Sequence, residues 1–136
     1  MRLDHVGLSV SSLDRSRKFY AEVLGFSRQE DAFALPAAEI RGLILVNPSG
    51  ARVELFERLG STPSPKGHPT DSARCQGLFQ FALRVEDVDA VYAQVTAAGA
   101  APVLTPRVAP DGQCRIAFIA DPDGNLVELI QRPPQT

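Results

Sequence analysis

The sequence predicts an α+β fold built from two tandem βαβββ modules, and two observations carry that reading. LDHVGLSVSSLD at 3–14 aligns with LFQFALRVEDVD at 78–89 at an offset of 75, and NPSGARVELFE at 47–57 aligns with DPDGNLVELIQ at 121–131 at an offset of 74. A nearly constant offset marks a duplicated unit with one small indel. Within each half the hydrophobic pattern also passes through the same stages: strand alternation, helical spacing, then three further strand-like runs.

Residues 3–10 alternate as a strand. Ser11, with Asp14 three residues later, has the spacing of a capping box for a helix whose inward positions are Leu13, Phe19, Tyr20, Val23 and Leu24, and Gly25 supplies its stop. Strands are expected near 26–31, 39–46 and 51–57. The second module repeats the plan: a strand from residue 78, Asp87 as the cap of a helix that turns Val88, Val91, Tyr92, Val95 and Ala98 inward, Gly99 as its end, then strands near 101–105, 114–120 and 125–131. NPSG and DPDG join the last two strands of each module, where Pro presets the turn and Gly takes the left-handed position. The chain is thus read as one domain over 1–136, with module 1 at 1–57, a Pro-, Gly- and Ser-rich linker or lid at 58–77, module 2 at 78–132 and a frayed tail at 133–136.

Composition narrows the partners. With 44% hydrophobic and 22% charged residues and a net charge of −2, nothing favours nucleic acid or an anionic membrane, which leaves small molecules and proteins. No run approaches the length of a membrane span and the N-terminus lacks the apolar core of a signal peptide, so a cytoplasmic location is expected. Cys75 and Cys114 form no CxxC pattern and are read as two reduced thiols.

Four polar residues fall at related places. Alternation sets His5 opposite in facing to Val6, Leu8 and Val10, Gln80 opposite to Phe79, Phe81 and Leu83, Glu54 opposite to Val53 and Leu55, and Glu128 opposite to Val127 and Leu129. Each glutamate shares its face with a bulky neighbour, and a carboxylate taken from water without a partner costs several kcal/mol. If the polar sheet faces of the modules meet, His5, Glu54, Gln80 and Glu128 offer an imidazole nitrogen, an amide oxygen and two carboxylates. That set suits one divalent ion such as zinc, nickel, cobalt, manganese or iron(II), with positions left for water or substrate. The lack of thiolate argues against a closed structural zinc site. The plainer alternative pairs the glutamates with Arg52, Arg58 or Arg132. His68 is read as a solvated loop residue, and Arg15, Arg17 and Lys18 as a solvated helix face.

The duplicated βαβββ unit, LDHVGLSV with its histidine, and the paired glutamates of GARVELFE and DPDGNLVELI resemble the vicinal oxygen chelate superfamily from Leu3 to Gln131. That group includes glyoxalase I, methylmalonyl-CoA epimerase, extradiol dioxygenases and the fosfomycin and bleomycin resistance proteins. The resemblance implies a cleft lined by the curved mixed sheet, metal ligands at His5, Glu54, Gln80 and Glu128, and a homodimer. One histidine, one glutamine and two glutamates resemble the glyoxalase I set, whereas Gln80 fits poorly with the two-histidine sets of the dioxygenases and the fosfomycin enzymes. Arg84 matches a glutathione-binding arginine four residues past a ligand, but Ser9 follows His5 at that spacing, and Arg58 and Arg132 replace an asparagine often found past the glutamates. Substrate contacts are assigned to Arg84, Phe56 and Arg58.

The function implied is a metal-dependent lyase or isomerase of the glyoxalase I type, acting on a small molecule with adjacent oxygens. Glu54 or Glu128 would remove a proton next to a carbonyl, giving a metal-stabilised enediolate. The alternatives are an epimerase or racemase of the methylmalonyl-CoA epimerase type, for which two facing glutamates could serve as paired bases, and a binding protein resembling the bleomycin resistance proteins.

Overall fold

A computed structural model of the chain describes residues 1–64 and 67–134. It divides into two units, Met1–Ser64 and Pro65–Thr136, so the division falls inside the expected linker at 58–77. Residues 65 and 66 of that linker and the last two residues of the expected tail lie outside the described ones.

Unit 1 runs β1 (Val6–Val10), α1 (Leu13–Glu22), β2 (Arg28–Leu35), a 3-10 turn (Pro36–Ala38), β3 (Ile40–Val46) and β4 (Arg52–Arg58). Its four strands are ordered β1-β4-β3-β2, with β1 parallel to β4 and the other pairs antiparallel. Unit 2 holds a short helix α2 (Pro69–Ser72), then β5 (Gln80–Arg84), α3 (Val88–Ala97), β6 (Ala101–Val108), β7 (Arg115–Ala120) and β8 (Leu126–Gln131). Its order, β5-β8-β7-β6, repeats that of unit 1 with the same strand directions. The expected βαβββ plan is present in both halves.

One face of each sheet packs on its helix. In unit 1 that face presents Val53, Leu55, Leu43 and Leu45, all at most 5% exposed, to the buried Leu13, Phe19 and Tyr20 of α1. Tyr20 meets Phe19 and Phe26 edge to face, at centroid distances of 5.4 and 6.2 Å. In unit 2 the matching face carries Val127, Leu129, Ala117 and Ile119, fully buried beneath Val88 and Val95 of α3.

The helix ends show where short-range signals were read one residue off. Ser12, not Ser11, caps α1, accepting from the Arg15 amide at 3.3 Å, while Ser11 Oγ accepts from the Arg15 guanidinium at 2.9 Å. The helix closes at Glu22, so Val23 and Leu24 lie beyond it, and Gly25 with φ 77° lets the Phe26 amide reach the Tyr20 carbonyl at 2.8 Å. Asp87 caps α3 as expected, its Oδ1 accepting from the Ala90 amide at 3.0 Å.

A second fastening was not anticipated. The penultimate residue of β4 is Glu57, whose Oε2 accepts from the amide of Leu13, the first helical residue, at 2.6 Å. Gln131, the repeat equivalent at the end of β8, does the same for Val88 at 3.1 Å. Free amides at a helix start need acceptors, and both modules supply one from the C-terminal end of the strand that neighbours β1 or β5 in the sheet.

Several strand limits also differ, β5 beginning at Gln80 instead of residue 78. β2 and β6 each continue well past the expected ends because β3 and β7 offer long antiparallel partners, with register shifts absorbing the irregularity. β1 begins at Val6, so His5 stands on the approach to the strand and not within it. His68 is exposed and outside any helix, as expected, and also serves as the N-cap of α2, its Nδ1 accepting from the Thr70 amide at 3.4 Å.

Candidate active site

In unit 1 the parallel pairing of β1 with β4 sets Gly7 beside Glu54, which brings the preceding His5 over the same face. His5 Nε2 lies 3.0 Å from Glu54 Oε2, and His5 Nδ1 lies 2.8 Å from Asp4 Oδ1. The imidazole therefore bridges two carboxylates. The bond to Asp4 raises the His5 pKa above its ordinary value, with Glu54 adding to the effect, and the same bond holds the Asp4 carboxyl below the usual carboxylate range. Asp4 fixes the ring from behind and leaves Nε2 as the atom turned toward Glu54, which is how carboxylates orient ligand histidines.

In unit 2 the pairing of β5 with β8 performs the same service. Gln80 Nε2 donates to Glu128 Oε2 at 2.9 Å. Glu128 stands between the buried Val127 and Leu129, and burial pushes its carboxyl above the ordinary range, against the pull of the Arg132 charge and the Gln80 hydrogen bond. Its opposite number across the sheet is the buried Phe118, where Glu54 faces Ile44.

The candidate ligands thus come together as two pairs, one in each unit. Among the described residues no group of three or more His, Cys, Asp or Glu side chains is arranged so that it could hold a metal ion by itself. The donor chemistry of the pairs suits a divalent ion of hard to borderline character: Nε2 of His5 and the carboxylates of Glu54 and Glu128 are directed donors, and Gln80, donating through its nitrogen, keeps Oε1 as an acceptor.

The ion-pair alternative for the glutamates does not hold for Arg52. Its guanidinium goes to Glu30, with Nε 3.0 Å from Oε2, and Arg28 reaches the same carboxylate at 2.8 Å. Arg58 ends β4 in an exposed position, as Arg84 ends β5. Arg132 lies just past β8 with Nη1 3.9 Å from the sulfur of buried Cys114. Phe56 is half-buried, two residues along β4 from Glu54 and on the same face. Asp4 and Glu30 escaped the sequence reading. Asp4 sits next to His5, and an acidic neighbour of a candidate ligand histidine was the available signal.

With this geometry in view, the relatives are informative. A family model described as the Glyoxalase/Bleomycin resistance protein/Dioxygenase superfamily matches residues 2–129. The chain belongs to this superfamily. Among its relatives are an uncharacterized protein, YaeR, of Escherichia coli, 30% identical over 96% of each chain, and a probable lactoylglutathione lyase of Vibrio cholerae, 31% identical over 96% of this chain and 90% of that one. The crystal structure of glyoxalase I from Zea mays superposes with a TM-score of 0.72 at 26% identity over 98% of this chain, which spans 46% of the maize chain. The α+β fold with two tandem modules is that of the superfamily. No helix among the described residues is long and apolar enough to cross a membrane.

Proposed function

We propose that this chain is a metal-dependent lyase or isomerase of the glyoxalase I type, acting on a small molecule with two adjacent oxygens, one of them a carbonyl. One observation carries the reading: the two modules bring repeat-equivalent side chains into contact, His5 with Glu54 and Gln80 with Glu128, at 3.0 and 2.9 Å. The open faces have otherwise diverged between the two copies, so a polar pair kept at the same register in both sheets supports a shared task. The relatives named as lactoylglutathione lyases support the same class.

His5, Glu54, Gln80 and Glu128 would hold one divalent ion, zinc, nickel, cobalt, manganese or iron, which when bound supplies Lewis-acid polarisation of the substrate oxygens. The remaining work falls to the side chains. Glu128, whose carboxyl is pushed above its ordinary range by burial, takes a proton from the carbon next to the carbonyl. The proton lands on Oε1, the oxygen that Gln80 does not engage, and returns to the same or the neighbouring carbon. Glu54 is the partner base, steadied by His5 on Oε2. Phe56, Arg58 and Arg84 would contact the substrate. The working form is a homodimer.

Elemental analysis of the purified chain before chelation and after reconstitution tests the ion, and about one divalent ion per chain is expected. Well under one sinks the reading. Solvent deuterium entering the α-carbon of candidate ketones, hemithioacetals or acyl-CoA esters then separates an enzyme from a binding protein. Mixing Glu54→Ala with Glu128→Ala chains restores activity only if one site draws on two copies.

A further inference from the structure

One row of side chains in unit 1 has no chemical counterpart in unit 2. On the face that carries Glu54, strand register sets Phe33 beside Gly42, Gly42 beside Phe56 and Phe56 beside Ser9. The equivalent row in unit 2 reads Arg107, Ile116, Ile130 and Arg84. The architecture stands equally well on aliphatic and cationic residues, so the fold itself does not call for the aromatic row.

Gly42 is buried in the middle of β3, where a glycine weakens a strand by roughly 0.5–1 kcal/mol relative to alanine. Its backbone does not require one, since it is not among the residues of positive φ. Space requires it. A Cβ there would stand 2.4 Å from Phe33 Cζ and 2.7 Å from the Leu55 carbonyl oxygen, so the Phe33 ring occupies the volume a side chain would fill. Phe56 meets that ring edge-on, with centroids 5.3 Å apart and planes at 64°. Both rings remain only half-buried.

Gly7 joins this shelf to the polar pair. A Cβ at Gly7 would lie 3.6 Å from Phe56 Cε2 and 3.8 Å from Glu54 Oε2, both ordinary contact distances. A ligand atom standing over Gly7 therefore touches the aromatic edge on one side and the carboxylate on the other. In unit 2 the position belongs to Ala82, whose methyl group takes up that space.

We propose that Gly7, Phe56 and the Gly42-backed Phe33 form an apolar subsite beside the His5–Glu54 pair that receives a flat aryl substituent of the substrate, selecting aryl over short alkyl carbonyl compounds. The identity of the reacting end rests on the function proposed above, while the subsite stands on unit 1 alone. An aryl group offers the two rings a third edge-to-face partner and buries more apolar area than a methyl group does.

The test uses the full chain labelled with ring-13C phenylalanine, titrated with benzohydroxamate and with acetohydroxamate, which share vicinal oxygens and differ as phenyl and methyl. Benzohydroxamate is expected to bind about tenfold more tightly and to shift the Phe33 and Phe56 resonances, with core Phe19 as the unmoved reference. Phe56→Ala removes the wall and Gly7→Val fills the floor, and each should bring the affinity ratio to within about twofold. Gly7 is exposed, so the second variant keeps the test open if the first does not fold. Equal affinities in the native chain, or tight benzohydroxamate binding without the two shifts, overturn the subsite. An ion-loaded chain that binds both hydroxamates alike retains the metal reading and loses the subsite; a chain without ion that still shows the shifts does the reverse.

Discussion

On their helix-facing sides the two sheets are nearly interchangeable. Leu55 and Leu129 occupy the same register and are both essentially buried, as are Val53 and Val127. On the opposite sides the positions still correspond but the chemistry does not: histidine against glutamine beside the glutamates, and an aromatic row against one that begins and ends in arginine. Packing holds one face of a duplicated module to its original pattern, because a lost methylene in a close-packed core costs stability at once. The other face is free to divide labour.

Three comparisons between the halves put that division at risk. The largest effect should come from the paired carboxylates: Glu128→Gln is expected to slow α-proton exchange about a thousandfold, and Glu54→Gln by less, as measured by solvent deuterium incorporation. Equal losses would erase the distinction between base and partner. Next come the cores. Leu55→Ala and Leu129→Ala should each cost about 3 kcal/mol in urea unfolding, and a large inequality would show that the helix-facing sides are not equivalent.

The smallest effect concerns the helix fastenings. Glu57→Ala and Gln131→Ala should each cost about 1 kcal/mol, the usual value of an end-capping hydrogen bond. They differ in pH response. Arg41 and the Leu13 amide hold the Glu57 carboxyl below its ordinary range, so the folded state binds the proton less readily than the unfolded one. Its contribution is complete above the unfolded pKa of about 4.3 and fades as the pH falls through the lower folded value. Glu57→Gln, which copies unit 2, should flatten the acid limb of the stability profile, whereas Gln131→Ala should shift the profile by a constant amount.

The tandem plan was legible because duplication is a long-range signal that survives local ambiguity, and the strand faces were legible because alternation has only two phases. Thus His5, Glu54, Gln80 and Glu128 can be set on matching strand faces from the sequence, while their contact as two pairs is a result of strand register. The cap of α1 was misplaced because Ser11 and Ser12 are adjacent and chemically identical, and backbone extension selects between them. β2 extends past its expected end because Ala32 and Ala34, which carry little strand signal, are paired by β3 opposite. Asp4 could have been picked out only by its adjacency to His5, and Glu30 not at all from spacing, since the partner of a single acid is chosen by side-chain reach. Gly42 and Phe33 are nine residues apart in the chain and meet only through register.

The fastenings formed by Glu57 and Gln131 bear on the order of assembly. Each joins residues 44 or 43 positions apart in the chain, nearly the full span of its module. Closing so long a loop is entropically costly and slow compared with helix growth. The local caps at Ser12 and Asp87 can form with the helix, whereas the Leu13 and Val88 amides gain a protein acceptor only once the last strand of their module has been made and docked.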